Sequence, residues 1–248
     1  MYLFGAGVLI GTPSGGGAPV NFGLVQEVSI EETVQTKSLY GQNNYPLAVA
    51  SGERKVVGKA KMARISASAF GALYYGVAPT VGSQAAQYGE AVPLAAGTTY
   101  TAANGATYLE DQGVLYAATG YPLAKITTGT PTAGQYKLAA GGVYTLNATD
   151  SAAGLLINYV YTVAATGTTI AVNQQIMGPT PTFSARLFQY DPTVAGVGGI
   201  FGVKLFACVA SKLTHQTKLT DFTIPELDFE CYANAAGQVM QKFFGDQF

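Results

Sequence analysis

The chain has 248 residues, of which 48% are hydrophobic and 11% are charged, and its formal net charge is −1. This length and apolar content are enough to bury one large β core or two smaller ones, which argues against disorder. The charged fraction is far below the roughly 25% of ordinary soluble domains, and interface cores are depleted in Lys, Glu and Asp. The composition therefore favours self-association, and without net positive charge sequence-specific DNA binding is not expected.

Residues 1–20 are predicted to form an N-terminal packing arm. Residues 1–11 are apolar over the length of a signal-peptide core, but the first basic residue is Lys37. The charged segment that precedes such a core is therefore missing, and a signal peptide is the lesser alternative. No apolar run approaches the roughly 20 residues of a membrane-spanning helix, so no membrane insertion is expected.

A strand and a long hairpin follow. Residues 21–37 alternate apolar and polar side chains, the period-2 pattern of a half-buried strand. The next segment predicts a hairpin arm over residues 36–65, with turn chemistry at Asn43-Asn44 and at Ser51-Gly52.

The second half of this hairpin carries the main basic cluster of the sequence. Lys59 and Lys61 lie on one face of the predicted strand, and small or apolar residues lie on the other. No aromatic side chains alternate with these lysines as a base-stacking surface requires. Pairing with acidic strands, within one subunit or between subunits, is the preferred interpretation.

Residues 66–76 change to a helical pattern, the one convincing helix of the sequence. Ser66 or Ser68 can cap its start, and Gly76 can end it. The apolar side chains at spacings of three and four are Phe70, Leu73 and Tyr74. A short amphipathic helix of this kind is expected to cover one face of a sheet.

Residues 80–177 are predicted to form a separate β module, because Ala, Gly, Thr and Tyr dominate there and only six side chains are charged. Asn104-Gly105 predicts a hairpin turn. Further strands are predicted at residues 114–117, 135–138, 143–146 and 155–163. The tyrosines of this module could face solvent as a glycan site, but half-buried β surfaces favour tyrosine and a core role is preferred.

The C-terminal part predicts three more strands. Residues 182–190 begin the first, and residues 200–213 form an almost continuous apolar run that is expected to be buried on both faces. The last has one apolar and one acidic face. Its alternating residues are Leu227, Phe229 and Cys231 on the first face and Glu226, Asp228 and Glu230 on the second.

No set of side chains predicts catalysis, a metal site or a cofactor. The three carboxylates of residues 226–230 point in parallel from one strand, whereas catalytic carboxyls converge on a substrate, so a solvated face is preferred over a metal or acid/base site. His215 is the single histidine and has no companion at ligand spacing. Cys208 and Cys231 lack CxxC spacing and are expected to be buried thiols rather than a bridge or a metal pair.

Two motifs outside the β module of residues 80–177 are the most informative about the family of the chain. They are the hairpin LYGQNNYPLAVASGERKVVGKAK with its following helix, and the strand DFTIPELDFECYANAAGQ. Through them, residues 21–79 and 178–248 resemble the major tail tube proteins of tailed bacteriophages. The resemblance covers about half of the chain and rests on patterns of fold and assembly.

The resemblance implies a mainly β protein, a tail-tube-like sandwich or barrel with one short flanking α-helix. Residues 80–177 depart from the family pattern as an inserted small all-β domain, which is expected on the tube exterior because a module of this size would block the lumen. Subunits of this family form hexameric rings that stack into a conduit for genome delivery. The implied partners are other copies, the tape measure, terminator, baseplate or tip proteins, and double-stranded DNA in passage. The protein would then be a virion component of the phage tail, made in the host cytoplasm, and not an enzyme.

Two sets of residues follow from the tube hypothesis. Those expected to face the lumen, where a negative wall would keep DNA from sticking, are Glu226, Asp228, Glu230, Lys59 and Lys61. Those expected at contacts between subunits or rings are Leu39, Tyr40, Tyr45, Pro46, Leu47, Arg54 and Lys55. The alternative is another phage structural protein, a capsid decoration or adhesin subunit, in which the insert would bind the host surface.

Overall fold

A computed structural model describes residues 2–64, 66–93, 98–174, 176–178, 180–194 and 199–245. The protein is mainly β, with 57% strand and 8% helix, as the sequence predicts. The chain divides into two compact units, which we call the sheet unit (Met1–Pro79 with Ile170–Phe248) and the inserted unit (Thr80–Thr169). The predicted return at residue 178 comes too late, because Ile170 already packs against the core of the sheet unit.

Both units are built mainly from strands, which range from two to 17 residues in length. In chain order the strands of the described residues are β1 (Phe4–Pro13), β2 (Val20–Asn21), β3 (Val25–Tyr40), β4 (Pro46–Met62), β5 (Thr80–Val92), β6 (Thr99–Thr101), β7 (Tyr108–Tyr116), β8 (Ala124–Ile126), β9 (Gln135–Ala139), β10 (Val143–Leu146), β11 (Leu155–Thr169), β12 (Thr182–Tyr190), β13 (Ile200–Thr214), β14 (Glu226–Cys231) and β15 (Met240–Phe244).

The sheet unit holds one eight-stranded antiparallel sheet in the order β2-β1-β12-β13-β14-β4-β3, with β15 also paired to β13. Strand β13 is its centre: β12 pairs along one edge, while on the other edge β14 pairs the second half and β15 the first half. Strands β14 and β15 therefore lie one after the other along the same edge of β13. The long apolar run of β13 is buried or half-buried over its first eleven residues, which is the expected burial of a central strand.

The sheet curls so that its core faces meet. Val28 and Ile30 of β3 share a cavity of about 230 Å³ with Leu187 of β12, Val203 of β13 and Met240 of β15, although β3 is not a neighbour of these strands in the sheet. The result is an open barrel around one core. Its fully buried large side chains include Leu9, Phe22, Met62, Leu73, Phe183, Leu205 and Phe229.

The predicted helix is present and covers one part of this core. Helix α1 (Ala67–Ala69) continues into a π-helical turn (Phe70–Tyr75), a form that the sequence pattern did not predict. The Ser66 hydroxyl accepts a hydrogen bond from the Ala69 amide, and Gly76 ends the helix with a φ of 66°. Leu73 packs on β1 at Gly11, where a Cβ atom would lie only 2.7 Å from the Leu73 side chain.

Gly58 of β4 faces Phe229 of β14, and these two residues are direct partners in the sheet. A Cβ atom at position 58 would lie 2.2 Å from the Phe229 ring, which is buried in the core. Gly58→Ala is therefore expected to destabilise the sheet unit by about 1–3 kcal/mol, the usual cost of forcing one extra carbon into a packed core. The change is measured as the free energy of unfolding in urea.

Gly15→Ala is the matched control for this substitution. A Cβ atom at position 15 would meet nothing within 4 Å, and its φ is outside the left-handed region. We expect its free energy of unfolding to stay within about 0.5 kcal/mol of the parent chain. Equal effects of the two substitutions would contradict the packing of Phe229 on Gly58.

The N-terminal segment is not a separate arm. Residues 4–13 form β1, which pairs with β12 from Phe4 opposite Tyr190 to Pro13 opposite Phe183. Leu9 of this strand is fully buried. The sequence prediction was wrong because the apolar, glycine-rich start shows no alternation, which is common for a strand with neighbours on both edges.

The predicted hairpin is present but starts earlier, since β3 and β4 pair from Val25 opposite Met62 to Tyr40 opposite Pro46. Residues 41–45 form its tip, which confirms the turn predicted at Asn43-Asn44. Ser51-Gly52 is not a turn. It lies within β4, where Gly52 and Glu53 bulge opposite the single residue Gln35. Ile65, the last residue of the predicted hairpin, lies outside the described residues.

The inserted unit has two sheets, β6-β10-β9-β8 and β5-β11-β7, that share one apolar core. All four strands predicted there are present: β10 has the predicted bounds, β9 and β11 continue further, and β7 begins earlier and ends one residue sooner. Most tyrosines belong to this core, in agreement with the preferred interpretation: Tyr136, Tyr144 and Tyr159 are buried, while Tyr88 and Tyr121 are exposed.

Two predictions in the inserted unit were wrong. Asn104-Gly105 does not close a hairpin, because it leads into a 3-10 turn (Gly105–Thr107) between β6 and β7, which belong to different sheets. The Asn104 side chain contacts the Tyr159 hydroxyl instead. A second helix, α2 (Ala148–Ala153), was not predicted; the side chain of Asn147 caps it by accepting a hydrogen bond from the Thr149 amide at 3.0 Å.

Two aspartates of the inserted unit, Asp111 and Asp150, are internal anchors. Asp111, with a side chain only 6% exposed, accepts hydrogen bonds from the hydroxyls of Tyr136 (2.7 Å) and Tyr144 (3.1 Å) and pairs with Lys125 at 2.9 Å. Asp150 accepts from the Tyr116 hydroxyl at 2.6 Å, which raises the pKa of that tyrosine. Because these groups are satisfied inside the unit, they do not form an external ligand site.

Candidate assembly surface

Nine charged side chains of the sheet unit lie together on the face of the sheet opposite the core. Residues paired across an antiparallel sheet point to the same side, and the register aligns Glu27 of β3 with Lys61 of β4 and Glu226 of β14. The next row along aligns Lys59, Asp228 and Lys212. We call this surface the charged face: Glu27, Glu31, Lys55, Lys59, Lys61, Lys212, Glu226, Asp228 and Glu230.

The basic strand β4 is held between two acidic strands. Lys59 pairs with Glu226 at 2.8 Å, and Lys55 pairs with Glu230 at 2.7 Å. The hydrogen bond between Lys59 and Glu226 raises the pKa of the lysine and lowers the pKa of the carboxyl. On the other side of β4, Lys61 pairs with Glu27. The predicted cross-strand pairing of the basic cluster is therefore present within one chain.

The acidic residues of β14 do not form a bare negative wall, because lysines of the neighbouring strands β4 and β13 lie beside them on the same face. The charged face holds five carboxylates and four ammonium groups, so its net charge is −1 and its signs alternate from strand to strand. The register places β4, with Lys59 and Lys61 of the predicted lumen-facing set, between β14 and β3. One oxygen, Asp228 Oδ1, is shielded from solvent and has no hydrogen-bond partner among the described residues.

The outer part of the hairpin extends beyond the barrel as a two-stranded ribbon, which we call the arm (residues 33–55). Strand β14 pairs with β4 only from Val56 onward, so within the described residues β4 has no second neighbour along the arm. All side chains of residues 31–55 are exposed. At about 3.3 Å per residue, the eight residues from Thr33 to Tyr40 extend roughly 26 Å.

The arm exposes large apolar side chains near its tip. Tyr45 is 83% exposed and Leu47 is 69% exposed, and Leu39, Tyr40 and Val49 are similarly open. Of the other residues predicted at subunit contacts, Pro46 begins β4, and Arg54 and Lys55 lie at the base of the arm, where Arg54 is 3.8 Å from Glu32. A two-stranded ribbon is at best marginally stable alone in water, so contact with another surface would stabilise this arm.

Sequence reasoning missed a second exposed apolar element. The connection from β13 to β14, residues 215–225, presents Leu219 and Phe222 almost fully to solvent. It lies beside the start of β14, at the end of the strands opposite the arm. The sequence signal that could have revealed this element is the presence of large apolar residues in a segment that has neither helical nor strand periodicity. His215 begins this connection and is exposed, as expected for a surface histidine.

The sheet also leaves strand edges open. Strand β3 has 16 residues, and among the described residues it hydrogen-bonds to β4 alone; β15 likewise pairs only with β13. A long unpaired edge is a template for another strand. The described residues contain no group of three or more His, Cys, Asp and Glu side chains placed to hold a metal ion.

No protein-family model matches the chain, and a search of curated proteins finds no significant match. Within the part of the chain that the structure describes, no helix has the length and apolar character needed to cross a bilayer. The candidate assembly surface therefore rests on geometry alone: the charged face, the arm, the exposed connection and the open edges.

Proposed function

We propose that this chain is a structural, non-catalytic subunit that assembles with copies of itself into stacked hexameric rings, the tube of a bacteriophage tail, through which double-stranded DNA passes. The tape measure, terminator and baseplate or tip proteins are the further partners that this role entails. The inserted unit would decorate the tube exterior.

The arm is the observation that carries the proposal. Its exposed apolar side chains and its unpaired β4 edge are costly in water, and a neighbouring copy would cover both. Each large apolar side chain gains roughly 1–2 kcal/mol when most of its surface is removed from water, so the five near the tip together favour a stable contact.

The two ends of the sheet unit fit head-to-tail stacking. The arm projects at one end of β3 and β4, and the connection with Leu219 and Phe222 lies at the other end. A contact between two different surfaces repeats from copy to copy, as rings or open stacks require. The open edge of β3 supports lateral joining of sheets in the same assembly.

The charged face suits a wall along which DNA moves. A protein binds duplex DNA strongly when free Lys and Arg side chains displace the counterions of the phosphates. Here the lysines of β4 are already paired with carboxylates of β3 and β14, so few free cations are available. A nearly neutral, internally paired surface would let DNA pass without retaining it.

Electron microscopy of the purified protein at high concentration tests the proposal. Rings or hollow tubes with six-fold symmetry are the expected result. Discrete monomers or trimers at all concentrations would contradict it and would favour a capsid decoration or adhesin subunit instead.

Neutralising the three carboxylates of β14 is expected to turn the charged face into a DNA-binding surface. The variant Glu226→Gln, Asp228→Asn, Glu230→Gln changes the net charge of the face from −1 to +2 and frees Lys55 and Lys59. We expect salt-dependent binding of a short DNA duplex, measured by fluorescence anisotropy, where the parent chain shows none.

The control makes the same overall charge change away from the charged face, as Glu53→Gln, Glu110→Gln, Asp221→Asn, all at exposed positions. It is expected to bind the duplex as little as the parent chain. Equal binding by the two variants would show that net charge, and not the charged face, controls contact with DNA.

A further inference from the structure

Cys208 and Cys231 lie opposite each other on neighbouring strands. They are direct partners in the pairing of β13 with β14, and their Sγ atoms are 3.4 Å apart. The adjacent backbone hydrogen bond from Tyr232 N to Ala207 O makes theirs a non-hydrogen-bonded pair. In such a pair the Cα atoms are about 4.5 Å apart, within the range that a disulfide spans, so the bridge needs little backbone movement.

The two thiols differ in access. Cys208 is fully buried in the core. Cys231 is half-buried and lines a pocket of about 790 Å³, whose wall also includes Arg54, Val56 and Tyr232. The lining of this pocket includes Cys231 but not Cys208, and its volume lies in the usual range of small-molecule sites.

The hydrogen bond between the thiols separates their acidities. It raises the pKa of Cys208, which burial raises further, and it lowers the pKa of Cys231. The two Sγ atoms are within hydrogen-bond distance of each other, at 3.4 Å. The thiolate is the nucleophile in disulfide exchange, so the accessible cysteine is also the one that ionises first.

We propose that Cys208 and Cys231 form a redox dithiol that closes to a disulfide by exchange with a small-molecule disulfide, such as oxidised glutathione, entering at the Cys231 pocket. The Cys231 thiolate attacks one sulfur of the reagent, a mixed disulfide forms, and one thiolate leaves. Cys208 then loses its proton to solvent and attacks Cys231 Sγ, and the second thiolate leaves. Two protein thiols are oxidised and one small-molecule disulfide is reduced to two thiols.

The bridge would lie where β13 changes partner. Cys208 pairs with β14, and three residues earlier Leu205 pairs with β15. The disulfide would fix the end of β14 to the central strand and so hold the β14–β15 connection against fraying. This inference does not depend on the proposed tube.

To test disulfide formation, the purified full-length chain is incubated with reduced or oxidised glutathione. The intact mass, the number of free thiols and the peptide crosslinked through residues 208 and 231 are then measured. Closure is expected to lower the mass by about 2 Da and to leave no free thiol. The melting temperature of the oxidised chain is expected to rise by roughly 5–10 °C.

Two variants separate the roles of the thiols. Cys208→Ala lacks the second nucleophile and is expected to accumulate a stable glutathione adduct of about 305 Da on Cys231. Cys231→Ser leaves only the buried thiol and is expected to stay unmodified while folded. Circular dichroism checks that both variants fold.

Retention of both thiols by the oxidised parent chain would overturn the proposal, and so would bridges only between chains. Rapid adduct formation on Cys208 in the folded Cys231→Ser variant would overturn the assigned order of attack. The measurement on the parent chain stands even if a variant fails to fold.

Discussion

Removal of the arm is expected to abolish self-assembly while the sheet unit remains folded. Val34 and Arg54 are direct partners in the hairpin, so residues 35–53 can be replaced by a two-residue Asn-Gly turn that suits the twist of the strands. The deleted residues are all exposed and contribute little to the barrel core. Rings or tubes are expected to be lost in electron micrographs, and the size in solution is expected to be that of a monomer.

A second variant keeps the arm but removes its apolar surface. Leu39→Thr, Leu47→Thr and Val49→Thr retain residues that favour strands. Each is now more than half exposed, so the changes cost the monomer little stability but remove several kcal/mol of contact with a covering surface. We expect the concentration needed for assembly to rise at least tenfold. Full assembly by the arm deletion would contradict the role of the arm.

Asp111→Asn is expected to destabilise the inserted unit by about 2–4 kcal/mol, because it removes a buried charge that accepts several hydrogen bonds and leaves Lys125 unpaired. The inserted unit contains nine of the 16 tyrosines, and the chain has no tryptophan. Near-ultraviolet circular dichroism of tyrosine during urea unfolding therefore reports mainly on this unit.

The same carboxylate predicts a pH dependence. Burial alone would raise the pKa of Asp111, but the hydrogen bonds from Tyr136, Lys125 and the Gly113 amide outweigh burial and hold it below its ordinary value. The stability that Asp111 contributes is thus fully present above the unfolded pKa, about 3.9, and is lost as pH falls through the lower folded value. The parent chain should lose this contribution below about pH 4, whereas Asp111→Asn should not.

Glu110→Gln is the control for both measurements, since the Glu110 side chain is exposed on the same strand. Its effect on stability is expected to stay within about 0.5 kcal/mol. A similarly small effect of Asp111→Asn would show that the buried cluster does not hold the inserted unit together.

Strands with a clear alternation could be predicted from the sequence because a half-buried strand must present one apolar face. The acidic strand β14, the alternation of β4 and the hairpin tip at Asn43-Asn44 belong to this group. The capped helix after residue 66 was predictable for a similar local reason, since Ser66 and Gly76 act on the chain next to them.

Strand β1, strand β15 and the true end of the inserted unit could not be predicted in this way. Each is a segment whose partner is distant in sequence, such as β1 with β12, so no local pattern carries the pairing. Asn104-Gly105 shows the converse: its local turn chemistry is real, but the strands on either side pair with other strands.

The sequence by itself determined that the chain is β-rich and carries few charges, because composition and the alternation of apolar and polar residues are local properties of the chain. Only the tertiary structure decided that the lysines of β4 neutralise the carboxylates of β14 and that Cys208 meets Cys231. Both depend on strand register, which is fixed when distant segments bury a common core. The local sequence of one strand does not specify this register.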